Sequence, residues 1–212
     1  MTIAREIRRK SFHVLAGMSI PVLYYLFLMW EHLTNRPDTY TILAKWILVG
    51  ATAAILAVDV IRLRHQFFKI VFIDFFGPLL RRHEISALTG ATYLMLSSTV
   101  CILLFKSEVA IAAISFMVVG DALAAVIGRS LGKPVFFGKS LEGAAACLAG
   151  CLAIGTAIIL LPATPEQRLH FWPMALGALT ATLAELLPFQ LDDNITIPLL
   201  SGLVMYLTFT IK

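Results

Sequence analysis

Seven apolar runs take up most of this chain: Phe12–Trp30, Ile42–Ile61, Ala87–Phe105, Val109–Gly128, Leu141–Leu161, Phe171–Leu187 and Ile195–Ile211, each 17 to 21 residues long. A helix gains about 1.5 Å per residue, so each run is long enough to cross about 30 Å of hydrocarbon. Of the 212 residues only 14% are charged, against about 25% in a soluble domain. No room is left for a separate soluble unit of ordinary size. The expected fold is all-α: a polytopic membrane helix bundle of about seven transmembrane helices, forming one integral-membrane domain over residues 1–212. Phe67–Leu80 is also apolar, but it is short, holds Lys69 and Asp74, and contains Gly77-Pro78. It is expected to lie at the interface or re-enter. The basic start followed by Phe12–Trp30 has the order of a signal peptide, yet the run exceeds a signal core and lacks a clear small-x-small cleavage site, so it reads as a retained first helix.

The loop charges orient the bundle. Arg5, Arg8, Arg9 and Lys10 precede the first run; Arg62, Arg64, Lys69, Arg81 and Arg82 follow the second; Arg129, Lys133 and Lys139 follow the fourth. The opposite face holds Arg36, Lys45, Lys106, Arg168 and Lys212. The positive-inside rule then sets the N-terminus in the cytoplasm. The net charge of +4 is explained by this asymmetry and not by nucleic-acid binding, because the cations form no stripe with interleaved aromatics. Trp30, Trp46 and Trp172 fall near the outer ends of their runs, as an interfacial belt does. Cys101, Cys147 and Cys151 sit inside apolar runs with no partners to complete a zinc site, so they read as small buried residues.

Carboxylates are costly in or near hydrocarbon, and Asp59, Glu84, Asp121, Glu142, Glu185, Asp192 and Asp193 all fall on the cytoplasmic side of this topology. Pairing with nearby Arg or Lys would explain any one of them; seven on one side argue for a polar site. The densest polar stretch runs from Gly120-Asp121 through Gly128, Gly132, Gly138, Lys139, Ser140 and Glu142 to Gly143. Glycines let backbone amides approach an anion closely, and Lys139 with Ser140 adds a cation and a hydroxyl. That is the chemistry a polyphosphate needs. The Gly-Lys-Ser triplet is not a P-loop: Gly132 is one residue too far from Gly138, and no preceding strand is expected. The plainer role for Gly128-x3-Gly132 is close helix packing. A second stretch, Glu185 with Asp192-Asp193-Asn194, offers hard oxygen ligands suited to Mg²⁺ on phosphates, or, more plainly, a helix cap.

Taken together these residues resemble the CTP-dependent lipid kinases, the family of dolichol kinase, phytol kinase and the CTP-using diacylglycerol kinase. The resemblance covers most of the chain. It is carried by Arg9-Lys10 with His13, by Asp59 with Arg62, and by Arg82-His83-Glu84 leading to Leu88-Thr89-Gly90-Ala91-Thr92-Tyr93. The strongest part is Asp121-x2-Ala124-x3-Gly128-x3-Gly132 running to Lys139-Ser140-x-Glu142-Gly143, similar to the family's CTP-binding stretch; Glu185 and Asp192-Asp193-Asn194 look like its second block. Gly138 and Ser140 stand where the eukaryotic form has Lys and Thr.

The resemblance implies CTP as phosphoryl donor, Mg²⁺ as metal, and a membrane isoprenoid alcohol of polyprenol, dolichol or phytol type as acceptor, at a site facing the cytoplasm. Asp121, Lys139 and Asp192 are the expected catalytic residues. Gly128, Gly132, Gly138, Lys139, Ser140, Glu142 and Gly143 are expected to hold the nucleotide. Asp121, Glu142, Asp192 and Asp193 are the expected metal ligands. Arg9, Lys10, His13, Arg82, Glu84, Glu185 and Asn194 are candidate contacts to substrate or phosphate. A prokaryotic cytoplasmic membrane is the expected location. Within enzymes the alternatives are diacylglycerol kinase activity and a CTP:phosphatidate cytidylyltransferase, although the latter's Lys-Asp, His-Gly-Gly and Asp-Arg-x-Asp signatures are absent. Outside enzymes, a small transporter would use Asp121 and Glu185 as an ion relay.

Overall fold

A computed structural model describes residues 3–188 and 191–210, with side chains described at 10–133, 137–188 and 191–209. Helices form on all seven apolar runs: α1 (Ile3–Thr34), α2 (Thr39–Arg64), α4 (Gly90–Leu104), α5 (Ser107–Ser130), α6 (Leu141–Leu160), α7 (Phe171–Leu186) and α8 (Asp193–Thr210). The short stretch after α2 becomes an 11-residue helix, α3 (Gln66–Phe76), none of whose residues is buried. Phe67, Phe68, Ile70 and Phe75 project outward, as a helix lying against lipid would place them.

From Lys10 onward α1, together with α2, α5 and α6, is long and apolar enough to cross a membrane. The other three are shorter. α4 and α7, at 15 and 16 residues, extend about 22 and 24 Å. For α4 the reason is local: the expected span begins at Ala87, but the Thr89 side chain accepts a bond from Thr92 N and caps the helix, so its first turn starts at Gly90. The backbone before it is irregular, and Arg62 at the end of α2 donates to its Glu84 and Ala87 carbonyls.

α5 is the axis of the bundle. Most of its residues are buried, and Val109, Ala110, Ala112, Ala113, Ile114, Phe116, Met117 and Val118 are fully so. α1, α4, α6, α7 and α8 all pack against it, which is why a run read as a membrane span has so little lipid-facing surface. α1 and α2 lie outside and expose most of their length. Glu31 on α1 accepts bonds from Tyr40 N at 3.1 Å and Thr41 N at 2.8 Å, capping α2 across their hairpin. The three cysteines are free and buried.

One feature departs from the sequence expectation. A strand does precede the Gly-Lys-Ser triplet: β1 (Pro134–Phe136) pairs antiparallel with β2 (Lys139–Ser140). The P-loop remains excluded, because this is a two-residue hairpin and not a strand of a parallel sheet feeding a glycine loop.

Candidate active site

The start of α1, the ends of α2, α5 and α7, and the starts of α4, α6 and α8 meet at one end of the bundle, and the polar residues singled out in the sequence converge there. Lys10 on α1 donates to the Asp121 carboxylate on α5, and both are buried. His13, one turn along α1, brings Nε2 to 3.8 Å from the same carboxylate. An ion pair this deep costs more desolvation than its attraction readily returns. Its upkeep in the core of the bundle points to use.

A second cluster holds the loop between α3 and α4. Arg62, 1% exposed, donates Nε to Asp59 Oδ1 at 2.6 Å, Nη1 to the Glu84 carbonyl at 3.0 Å and Nη2 to the Ala87 carbonyl at 2.8 Å. Asp59 Oδ2 accepts from Thr89 N, Thr89 Oγ1 and Thr92 Oγ1. Glu84 in turn accepts from Gly90 N at 2.9 Å and from Arg81 N at 2.6 Å. Every charge is answered, so the network fixes the loop and with it the backbone of Arg81.

The third cluster centres on Lys139 in β2. Its ammonium donates to the Glu185 carbonyl and lies 3.3 Å from Glu185 Oε1 and 3.4 Å from Asp193 Oδ2. Ser140 caps α6: its Oγ accepts from Gly143 N at 3.1 Å. The glycines here serve close approach. A Cβ on Gly128 would stand 2.9 Å from Ser140 Oγ, and one on Gly143 would stand 2.9 Å from the Ala124 carbonyl. The packing role for these glycines, given second place in the sequence, therefore holds alongside the anion role.

Three cavities open at this end. The first, about 450 Å³, is polar and lined by Lys10, Arg81, Asp121, Gly128, Arg129, Gly132, Gly138, Lys139, Ser140, Gly143, Glu185 and Asp193 among others. The second, about 630 Å³, is mostly apolar, between α1, α2 and α3: Phe12, Ala16, Ala54, Ile55, Val58, Phe72, Phe76, Leu79 and Leu94 wall it, and His13, Asp59, Glu84, Thr89, Asn194 and Asp121 give it polar positions. The third, about 430 Å³, lies beside Tyr93, Phe137 and Asp192. Asp121 is in the wall of both the first and the second; Arg81 borders all three.

The expected site residues do not all come together. Glu142 is exposed, accepts from Lys133 N at 3.3 Å and borders none of the three cavities. Asp192 borders only the third cavity. Its Oδ1 accepts from Asn194 N at 2.9 Å and Asn194 Nδ2 at 2.6 Å, and its Oδ2 faces Arg81 Nη1 at 3.5 Å. It therefore stands away from the junction that Asp121 occupies. Arg82 is exposed and borders none of the three cavities, whereas Arg81, counted in the sequence only as a loop charge, borders all three. Ser140 has its hydroxyl engaged by the helix cap. Glu84 organises the loop, and Asn194 borders the apolar cavity. The Arg9 side chain lies outside the described residues. Among the described residues no three His, Cys, Asp or Glu gather closely enough to hold a metal. The donors around the first cavity, Asp121, Glu185 and Asp193, still fit Mg²⁺, which is commonly held by one or two carboxylates together with substrate phosphates.

No family model and no solved structure matches this chain. It is similar to the CTP-dependent diacylglycerol kinase 1 of Saccharomyces cerevisiae, 29% identical over 94% of this chain and 72% of the relative. An uncharacterized protein of Rickettsia prowazekii is 27% identical over 92% of this chain and 90% of its own length. A probable chloroplastic phytol kinase of Triticum aestivum is 32% identical over 61% of this chain and 46% of its own length. The chain, a membrane bundle with a charged pocket at one end, is thus similar along most of its length to CTP-dependent diacylglycerol kinases and along part of it to phytol kinases, in keeping with the resemblance to CTP-dependent lipid kinases.

Proposed function

We propose that this protein transfers the γ-phosphoryl group of CTP to the terminal hydroxyl of a membrane isoprenoid alcohol of polyprenol, dolichol or phytol type, at the cytoplasmic leaflet. One observation carries the reading: Asp121 stands in the wall between a polar, glycine-lined cavity and an apolar one. A phosphoryl transfer from a soluble nucleotide to a lipid needs such a boundary, because its two substrates come from different solvents. The triphosphate occupies the first cavity, met by Lys10, Arg81 and Lys139. The alcohol lies in the second with its hydroxyl at Asp121. The Asp121 carboxylate takes the hydroxyl proton, the oxygen attacks the γ-phosphorus, the bond to the β-phosphate oxygen breaks, and CDP leaves. His13, close to the same carboxylate, orients it. Positioning and charge neutralisation supply most of the rate. Asp193 and Glu185 suit a Mg²⁺ ion, which supplies charge neutralisation on the phosphates when bound.

The face that bears this site carries most of the chain's Lys and Arg, which supports a cytoplasmic orientation. Similarity to a bacterial relative over nearly its whole length supports a prokaryotic cytoplasmic membrane. Diacylglycerol is the second reading of the acceptor, because relatives named as diacylglycerol kinases align along nearly all of this chain and the phytol kinases along less. Of the three cavities described, the second is mostly apolar, and its walls between α1, α2 and α3 suit one linear tail. The test is purified protein in lipid with Mg²⁺ and γ-³²P-labelled CTP or ATP, offered polyprenol, phytol, geranylgeraniol and diacylglycerol in turn. Label from CTP on one alcohol, with release of CDP, supports the reading and names the acceptor. Absence of lipid label from intact protein refutes it, and release of pyrophosphate would mark a cytidylyltransferase.

A further inference from the structure

We propose that the third cavity receives the nucleoside end of the donor, that Asp192 and Arg81 read its base, and that Phe137 covers it. The inference rests on the nucleotide reading above and assigns parts of the site that reading leaves unused. Lys139, Asp193 and Arg81 border both the polar cavity and the third one, so the two adjoin. A triphosphate whose γ-phosphorus sits at Asp121 runs along the glycine-lined cavity, and its sugar and base come to the rim at Lys139 and Asp193. The apolar cavity lies on the Asp121 side. The third cavity is the one that adjoins that rim.

Its chemistry suits a base. Tyr93 and Phe137 offer aromatic faces beside the apolar walls of Leu186 and Ile195, and base stacking on aromatic rings is sequence-tolerant. Selection needs an edge. The Asp192 side chain is only 11% exposed, with Oδ1 held by Asn194 while Oδ2 meets Arg81 at the long distance of 3.5 Å. That leaves a carboxylate oxygen to accept from an exocyclic amine, next to a guanidinium able to donate to ring acceptors. Cytosine presents an amine at C4 beside acceptors at N3 and O2; uracil presents a carbonyl at C4 and rejects the carboxylate.

Phe137 supplies an independent observation. It forms the two-residue turn of the β1–β2 hairpin with Gly138, at φ 49° and 81°. Such a turn is easily made by Asn-Gly, whereas a bulky residue at positive φ is strained. The ring is nonetheless 73% exposed and borders the cavity, so no burial repays the strain. Backbone strain of this kind collects at ligand clamps, and a ring held over the cavity mouth gives it a use.

The test is equilibrium binding of radiolabelled CTP and UTP to the purified protein in lipid, which needs no acceptor. Asp192→Asn keeps an oxygen for the Asn194 cap and introduces a donor; it should lower the CTP-to-UTP binding ratio by about tenfold or more, the range of one base-reading pair. Phe137→Ala should weaken both nucleotides by about tenfold with their ratio unchanged, and Phe137→Trp should restore binding. If wild-type protein binds CTP but neither Asp192→Asn nor Phe137→Ala alters binding, this inference falls and the kinase reading stands. If it binds CTP with the expected variant pattern yet transfers no label to any lipid, the kinase reading falls and the base site stands. If it binds neither nucleotide, both fall.

Discussion

Arg62→Met removes the hub of the cluster that holds the site's loop, and its consequence can be worked from contacts. In the wild type the guanidinium satisfies one carboxylate and two carbonyls from a position with 1% exposure. The methionine fills similar volume but leaves Asp59 as a buried anion without its cation and leaves the Glu84 and Ala87 carbonyls without donors. Breaking one side of a buried pair costs about 3–5 kcal/mol, which shifts an unfolding equilibrium by about 10² to 10³ or more, at 1.4 kcal/mol per tenfold. That is a large share of a typical stability of about 5–15 kcal/mol. Adding Asp59→Asn removes the orphaned charge while leaving an oxygen for Thr89 and Thr92. The double variant should therefore recover about 1–3 kcal/mol of the loss, a normal coupling for residues in one network. The assay is reversible denaturation in mixed micelles followed by helix content, run on both single variants and the double. A loss below about 1 kcal/mol for Arg62→Met, or a double variant no more stable than Arg62→Met alone, would refute the assignment of Arg62 and Asp59 as a structural pair.

Three further outcomes follow from the placement of side chains. Lys139→Ala should leave the fold intact and cut phosphoryl transfer about 10² to 10³-fold, the size expected on losing a preorganised charge-stabilising donor, as read by label transfer against circular dichroism. Glu142→Gln should leave transfer within about threefold of wild type, because the carboxylate is exposed and borders none of the three cavities; its effect on stability should stay below about 1 kcal/mol, as for a charge near a helix N-terminus. Ser140→Ala should cost about 1 kcal/mol of stability by uncapping α6, with CTP binding changed much less than by Lys139→Ala; the comparison is thermal denaturation beside nucleotide binding.

The bundle was legible because long apolar runs mark helices of a membrane protein: all seven runs became helices, four of them long and apolar enough to cross a membrane. Which helix is central was not legible. α5 has no more hydrophobic a sequence than α6, and its burial depends on how its neighbours cross it. Most of the candidate site's acids and cations were found on one face because charge near hydrocarbon is rare enough to be informative. Their individual jobs were less visible. Lys10 and Asp121 are 111 residues apart, and no spacing rule links them. Arg81 and Arg82 are adjacent in an irregular loop with no period to say which turns inward; the Glu84 carboxylate on Arg81 N decides it. The glycines and Ser140 were ambiguous for a different reason, since an anion loop and a tight helix entry use the same residue types. The apolar cavity had no sequence signal at all, because it arises from the gap that α1, α2 and α3 leave between them.

The central claim is that Asp121 receives the acceptor's proton at the boundary of the two cavities, and Asp121→Asn tests it most directly. The amide keeps the size of the side chain and an oxygen for Lys10 but cannot take a proton. With γ-³²P-labelled CTP and the acceptor found for wild-type protein, the account predicts a fall in kcat of about 10² to 10⁴-fold, the usual contribution of a general base, with CTP binding retained. A variant that folds, binds CTP and transfers label at more than about a tenth of the wild-type rate would contradict it, since no general base lost would leave so much activity.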